Sequence, residues 1–121
     1  MIRILMVDNY DSFTYNLVQL IMSNASVEMK VNRNDQLNLN SINEFAPDGI
    51  VISPGPKAPQ DAGLSKHIIR MFSDKVPILG VCLGMQCINE VFGGKTREAD
   101  LAVHGKTSLI CIKNNFYQLF K

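Results

Sequence analysis

Three short, mostly apolar runs constrain this chain more than any other feature: Ile4 to Val7, Gly49 to Ser53 and Pro77 to Val81. A strand with one wet face alternates apolar and polar residues, whereas an uninterrupted apolar run reads as a strand buried on both faces. The stretches between them carry helical spacing. Leu17, Leu20 and Ile21 recur on one side, with Asn16 and Gln19 on the other. A weak helix is expected around Ile42 to Phe45 and is ended by Pro47-Asp48. Leu64, Ile68, Ile69 and Phe72 form the next stripe, set against Lys66, Arg70 and Asp74. Met85, Ile88, Val91 and Phe92 form another, closed by Gly93-Gly94.

The remaining segments fill in around this frame. Val27 to Val31 alternates with Glu28 and Lys30 and predicts a shorter, more exposed strand, followed by a connection over Asn32 to Asn40. Pro54-Gly55-Pro56-Lys57-Ala58-Pro59 is expected to be neither helix nor ladder, because its prolines remove donors and fix the chain direction. Thr107 to Ile112 reads as a late strand and Asn114 to Lys121 as the start of a last turn. Alternation of buried strands with helices implies an α/β fold: a mostly parallel sheet with helices on both faces.

Composition narrows the setting. The 121 residues suit a single domain, and 46% hydrophobic content is enough for a core without disulfide staples. Charged residues make up 19%, interspersed, with a net charge of +1. No basic stripe or acidic tail argues for nucleic acid or a membrane surface. No apolar run is long enough for a signal-peptide core or a bilayer span. Cys82, Cys87 and Cys111 are odd in number and lack metal-knuckle spacing, so reduced thiols and a cytoplasmic setting are expected, with no metal and no cofactor. No Gly-x-Gly-x-x-Gly follows the first strand, which argues against dinucleotide binding.

In parallel sheets ligands sit outside the carboxyl ends of the strands. The loops opening at Asp8, Ser53 and Cys82 all fall there. Gly80-Val81-Cys82-Leu83-Gly84 is a Gly-x-Cys-x-Gly pattern between a strand and an amphipathic helix, the thiol counterpart of the nucleophile elbow. Flanking glycines permit a tight turn that lifts the sulfur clear of the sheet. The following helix aims its first amides at the site, which favours a thiolate and any neighbouring oxyanion. An isolated cysteine is more often a buried small hydrophobe; the setting singles out Cys82 as the nucleophile and leaves Cys87 and Cys111 as packing residues. The chain offers His67, a solvated helix residue, and His104, in a turn before Gly105-Lys106, as the histidines that could serve as general acid.

Several segments together carry a family resemblance. Asp8-Asn9-Tyr10-Asp11-Ser12-Phe13-Thr14-Tyr15-Asn16-Leu17 resembles the opening of the glutamine amidotransferase component of anthranilate synthase and aminodeoxychorismate synthase. Arg33-Asn34-Asp35, Ile52-Ser53-Pro54-Gly55-Pro56 with Pro59 and Asp61-Ala62-Gly63, Gly80-Val81-Cys82-Leu83-Gly84-Met85-Gln86 and His104-Gly105-Lys106 follow in the family's order. The resemblance implies a flavodoxin-like class I amidotransferase fold and a reaction in which Cys82 attacks the glutamine carboxamide. It implies an oxyanion hole from the amides of Gly55 and Leu83, and a glutamine site formed by Gly55, Pro56, Lys57, Leu83 and Gln86. The implied partners are L-glutamine and a chorismate-binding synthase subunit that uses the ammonia. The Asp8 to Tyr15 loop would lie near that interface or shape the site. Plainer roles are a rigid Pro54-Gly55-Pro56 loop, and Asn9 and Asp11 capping the next helix.

In that family the catalytic histidine comes late, in a His-x-Glu segment after a Ser-Leu pair that helps to bind glutamine. The sequence stops at Lys121, and His104 matches the His-Gly-Lys segment instead. The expectation is therefore a single domain over 1–121 that lacks the family's C-terminal part, is incomplete at that end of its sheet, and exposes an apolar face or an unpaired edge. Two readings stand side by side: a glutaminase, or a catalytically incomplete chain that only docks on the synthase.

Overall fold

The computed structural model describes residues 1–101 together with Thr107 and Leu109. Four strands, β1 (Ile2–Asp8), β2 (Val27–Arg33), β3 (Gly49–Ile52) and β4 (Ile78–Gly80), make one sheet in the order β2-β1-β3-β4. Every neighbouring pair is parallel. The helices are α1 (Thr14–Asn24), α2 (Leu39–Phe45), α3 (Ser65–Phe72) and α4 (Leu83–Val91), with a 3-10 turn over Pro59–Asp61. The expected α/β class is what forms, and its strand order is that of flavodoxin-like sheets. His104, Cys111 and the strand expected over Thr107 to Ile112 lie outside the described residues, apart from Thr107 and Leu109 themselves.

The two faces of the sheet follow from the two-residue period of the strands. Leu5, Val7, Ile50 and Ile52 point to one face, where Ile42 of α2, Ile68, Ile69 and Phe72 of α3, and Leu83 and Cys87 of α4 pack on them. Met6 and Val51 point to the other, against Val18 of α1, with Ile4, Leu17, Ile21, Met29 and Val31 around them. Among the described residues helices thus cover both faces, three on one and one on the other. Each fully buried Leu, Ile or Val here contributes roughly 1.5–3 kcal/mol relative to exposure, so the larger cluster carries most of the stability.

Five expectations need correction. The Pro77 to Val81 run does not form a strand buried on both faces: Leu79 is 54% exposed. Leu79 pairs in register with Val51, so it lies on the face that α1 covers, and α1 packs over β1 and β2 rather than over β4. Among the described residues β4 has no strand on its outer side and carries the exposed Leu79. Leu20 points outward, and Val18 takes the core position on α1. On α4 the buried residues are Leu83, Gly84 and Cys87, whereas Met85 and Phe92 are exposed. Finally, β2 is as long as β1, and Pro59 opens a 3-10 turn, where its missing N–H is no loss.

Candidate active site

The carboxyl ends of β1, β3 and β4 deliver three loops to one edge of the sheet. The turn after β4 is the tightest. Cys82 has φ 51° and ψ −107°, caps α4, and is exposed. The flanking glycines are obligatory for steric reasons. A Cβ on Gly80 would lie 2.4 Å from the carbonyl carbon of Gly84, and one on Gly84 would lie 2.2 Å from the carbonyl oxygen of Ile52. The same Ile52 carbonyl accepts the Val81 N–H at 3.0 Å, while Gly84 N–H donates to Val81 O at 3.0 Å. The turn is therefore pinned to β3 on one side and closed on itself on the other. Leu83 opens α4, so its N–H is one of the first-turn amides with no acceptor inside the helix.

The loop after β3 meets this turn at Gly55. A Cβ there would sit 2.6 Å from Asn9 Cβ and 2.8 Å from Leu83 Cδ2. Gly55 is thus packed against Asn9 and the Leu83 side chain, with no room for a side chain of its own. Lys57 follows with a φ of 67° and lines a cleft of about 520 Å3 together with Gln86, which lies one helical turn beyond Cys82. Pro56 lines the neighbouring cleft, shared with Lys57 and with Asn9 and Tyr10 of the first loop. The structure therefore gathers Gly55 with Leu83, and Lys57 with Gln86. His67, the histidine within the described residues, is exposed on α3.

What holds the loops is a buried polar hub that sequence reasoning assigned to helix capping. Asn9 is 2% exposed. Its N–H donates to Ser53 Oγ at 2.9 Å and its Nδ2 to Ser53 O at 2.8 Å. Its Oδ1 accepts from Asn34 Nδ2 at 2.9 Å and from Ser65 Oγ at 2.7 Å. One side chain thereby ties the ends of β1, β2 and β3 to the start of α3. Neither Asn9 nor Asp11 caps α1, whose N-cap is Phe13 without a side-chain hydrogen bond; Asp11 accepts from Phe13 N–H at 2.9 Å and Asp8 Oδ1 from Thr14 Oγ1 at 2.8 Å, which order the loop ahead of the helix. Asn34 and Ser65 carry no mark of this role in the sequence pattern. The available signal was a polar residue directly after each buried strand, where only a fully partnered side chain can be buried.

Outside the hub, Tyr10 donates to Asp35 Oδ1 at 2.5 Å and lies under the Arg33 guanidinium, 4.7 Å from ring centre to Cζ. The Asp35 carboxylate, which accepts the phenol proton, pushes the Tyr10 pKa above its ordinary value. Cys87 is fully buried, and burial pushes its thiol up. Among the described residues no three His, Cys, Asp or Glu side chains converge as metal ligands, and no helix is long and apolar enough to cross a membrane.

A parallel α/β sheet with an exposed, positive-φ cysteine on its strand-to-helix turn defines the class of fold to which this chain belongs. The chain belongs to a particular family within it: the model for class I glutamine amidotransferases matches residues 5–121. It is 52% identical over 105 residues to the aminodeoxychorismate/anthranilate synthase component 2 of Bacillus subtilis, covering 87% of this chain and 54% of that protein. It is 52% identical over 107 residues to the anthranilate synthase component 2 of Pseudomonas aeruginosa, covering 88% and 53%. With the aminodeoxychorismate synthase component 2 of Serratia marcescens it shares 50% identity over 107 residues, covering 88% and 56%. The chain spans about half the length of these curated relatives.

Proposed function

We propose that Cys82 attacks the side-chain carboxamide of L-glutamine and that the ammonia released serves a chorismate-aminating synthase. The Cys82 sulfur bonds to the carboxamide carbon, and the amides of Leu83 and Gly55 receive the oxyanion. The C–N bond then breaks as the nitrogen takes a proton and leaves as ammonia. Water cleaves the thioester to glutamate and restores the thiol. The observation that carries this reading is the backbone of Cys82: a non-glycine residue at φ 51° is held there only by surrounding structure, and such strain concentrates at functional sites. Gly55, Pro56, Lys57, Leu83 and Gln86 form the glutamine site. The general acid belongs to the His-x-Glu segment of the family pattern, not to His67. A cytoplasmic setting, where a free thiol stays reduced, goes with this chemistry.

The names of the relatives, component 2 of two chorismate-using synthases, support a larger synthase subunit as the partner. The choice between anthranilate and aminodeoxychorismate belongs to that subunit. The test is glutamine-dependent ammonia release by the 121-residue chain, alone and with a chorismate-binding synthase subunit, with Cys82→Ala as control. Cys82-dependent release is the expected result for a complete site. Co-purification with the synthase subunit but no release selects the docking reading. Release that survives Cys82→Ala would sink the assignment of the nucleophile.

A further inference from the structure

The sheet has two edges, and β2 forms the one remote from Cys82. In the order β2-β1-β3-β4 the Cys82 turn follows β4, whereas β2 has, among the described residues, no strand on its outer side. It pairs with β1 over its whole length of seven residues, so its outer row of N–H and C=O groups is a ready template for another strand. Proteins usually blunt such an edge with charge, and Glu28 and Lys30 stand on it. Their spacing makes them complementary rather than repulsive.

An identical strand is the partner that this spacing fits. Two copies of β2 paired antiparallel about a two-fold axis keep corresponding residues on the same face, so the residue at the axis faces its own counterpart. An axis at Glu28 or at Lys30 sets like charges opposite each other. An axis at Met29 sets Glu28 opposite Lys30 twice, Met29 opposite Met29, and Val27 opposite Val31 twice. Directly opposed residues have Cβ atoms about 4.5–5.5 Å apart, within reach of an ion pair. Neither Glu28 nor Lys30 has an ion-pair partner among the described residues. Lys30 is held on the α2 side, where its ammonium donates to the Ser41 hydroxyl and lies 5.7 Å from the centre of the Phe45 ring.

The other face of the edge adds apolar surface. Val27, Met29 and Val31 are each only partly buried, although Met29 and Val31 pack against the cluster of Met6, Val18 and Val51. Ile21 of α1 lines a groove over β3 and β4, so Tyr15 and Met22, on the far flank of the Val18 stripe, lean towards β2. Both are exposed. A second copy paired at Met29 brings the same residues to the seam from the other side, in the self-complementary manner of a two-fold interface.

We propose that the outer edge of β2 is a homodimer interface, in which two copies pair Glu28 with Lys30 and Met29 with Met29 across a two-fold axis. The two four-stranded sheets then run on as one, with the Cys82 turns towards its far ends.

The test is sedimentation velocity of the full chain over a concentration series, with Glu28→Lys and Lys30→Glu made singly. The parent should dimerise. Each variant sets two like-charged pairs across the axis and should raise the dissociation constant at least about tenfold. An equimolar mixture of the two variants should recover the dimer, because every charge across the axis is then met by its opposite. Misfolding, or a local effect of either substitution, is not cured by mixing. A parent chain that stays monomeric overturns the proposal, as does a dimer that persists in both variants or a mixture that stays monomeric.

Discussion

A methyl carbon added at Gly84 would sit 2.2 Å from the carbonyl oxygen of Ile52, so the first turn of α4 rests directly on the backbone of β3. That contact sets the height of Cys82 above the sheet, because the same turn carries both residues. Gly84→Ala must therefore lift the helix start, and the expected loss is at least about 3 kcal/mol. Gly93 provides the control. An added methyl there meets nothing within 4 Å, and only its φ of 93° opposes the change, at about 1 kcal/mol. Urea denaturation of both variants checks the argument, which fails if the two losses are equal.

Cys82 itself should be a weak point in the fold. Its φ 51° and ψ −107° cost about 1–3 kcal/mol in a residue with a Cβ. Glycine escapes that strain but gives back roughly 0.5–1 kcal/mol through its freer unfolded chain. Cys82→Gly is expected to stabilise the protein by about 1 kcal/mol while abolishing thiol labelling at this position. Cys82→Ala keeps the Cβ and should leave stability nearly unchanged. Melting temperatures in the order Gly above Ala support stored strain at this turn; the reverse order removes it.

Asn9 carries four hydrogen bonds within a buried hub. Three of them use its side chain, and its loss strands Asn34 Nδ2, Ser65 Oγ and Ser53 O without their partner. Asn9→Ala should lower stability by about 3 kcal/mol, since each buried polar group left alone costs about 1–3 kcal/mol and water will enter part of the gap. Asn9→Asp keeps the two acceptor contacts but turns the Ser53 O contact from donor into repulsion. Its penalty should shrink as the pH falls and the carboxyl gains a proton. Denaturation midpoints at about pH 5 and about pH 8 would show this, and a pH-independent penalty would count against the assigned orientation of the side chain.

The parts of this molecule legible from sequence are those fixed by local rules. Continuous apolar runs located β1 and β3, and the Gly-x-Cys-x-Gly spacing located the turn at Cys82, because the backbone there tolerates nothing larger than hydrogen beside it. Long-range placement was less legible. Leu79 looks like a core residue in sequence, yet its exposure depends on which strands α1 reaches, a matter of packing across distant segments. Met85 and Phe92 fit a helical stripe one step away from the one that is buried, since Cys87, small and ambiguous, defines the inward face. Asn9 reads as a cap because capping is what an asparagine before a helix usually does. Its true partners, Ser53, Asn34 and Ser65, are brought to it only by the sheet.

Cys87 gives the fold a pH dependence that can be separated from thiol labelling at Cys82. Burial raises its thiol pKa, with Lys66 opposing and Glu90 reinforcing the shift. The native state then holds the proton longer than the unfolded chain, whose thiol titrates near pH ~8.5. Stability from this group is complete below that pH and declines as the pH rises towards the native value. Tyr10 acts in the same direction but only above pH ~10, where an unfolded tyrosine begins to ionise. Between about pH 8.5 and 10 the decline should therefore belong to Cys87. Cys87→Ala should flatten it, with a loss of about 1 kcal/mol at neutral pH for the missing packing. Denaturation midpoints for the parent and the variant across that range decide the matter: parallel curves would mean that Cys87 does not titrate differently in the native state, and converging curves that it does. At about pH 8, brief iodoacetamide treatment should accordingly mark Cys82 and spare Cys87.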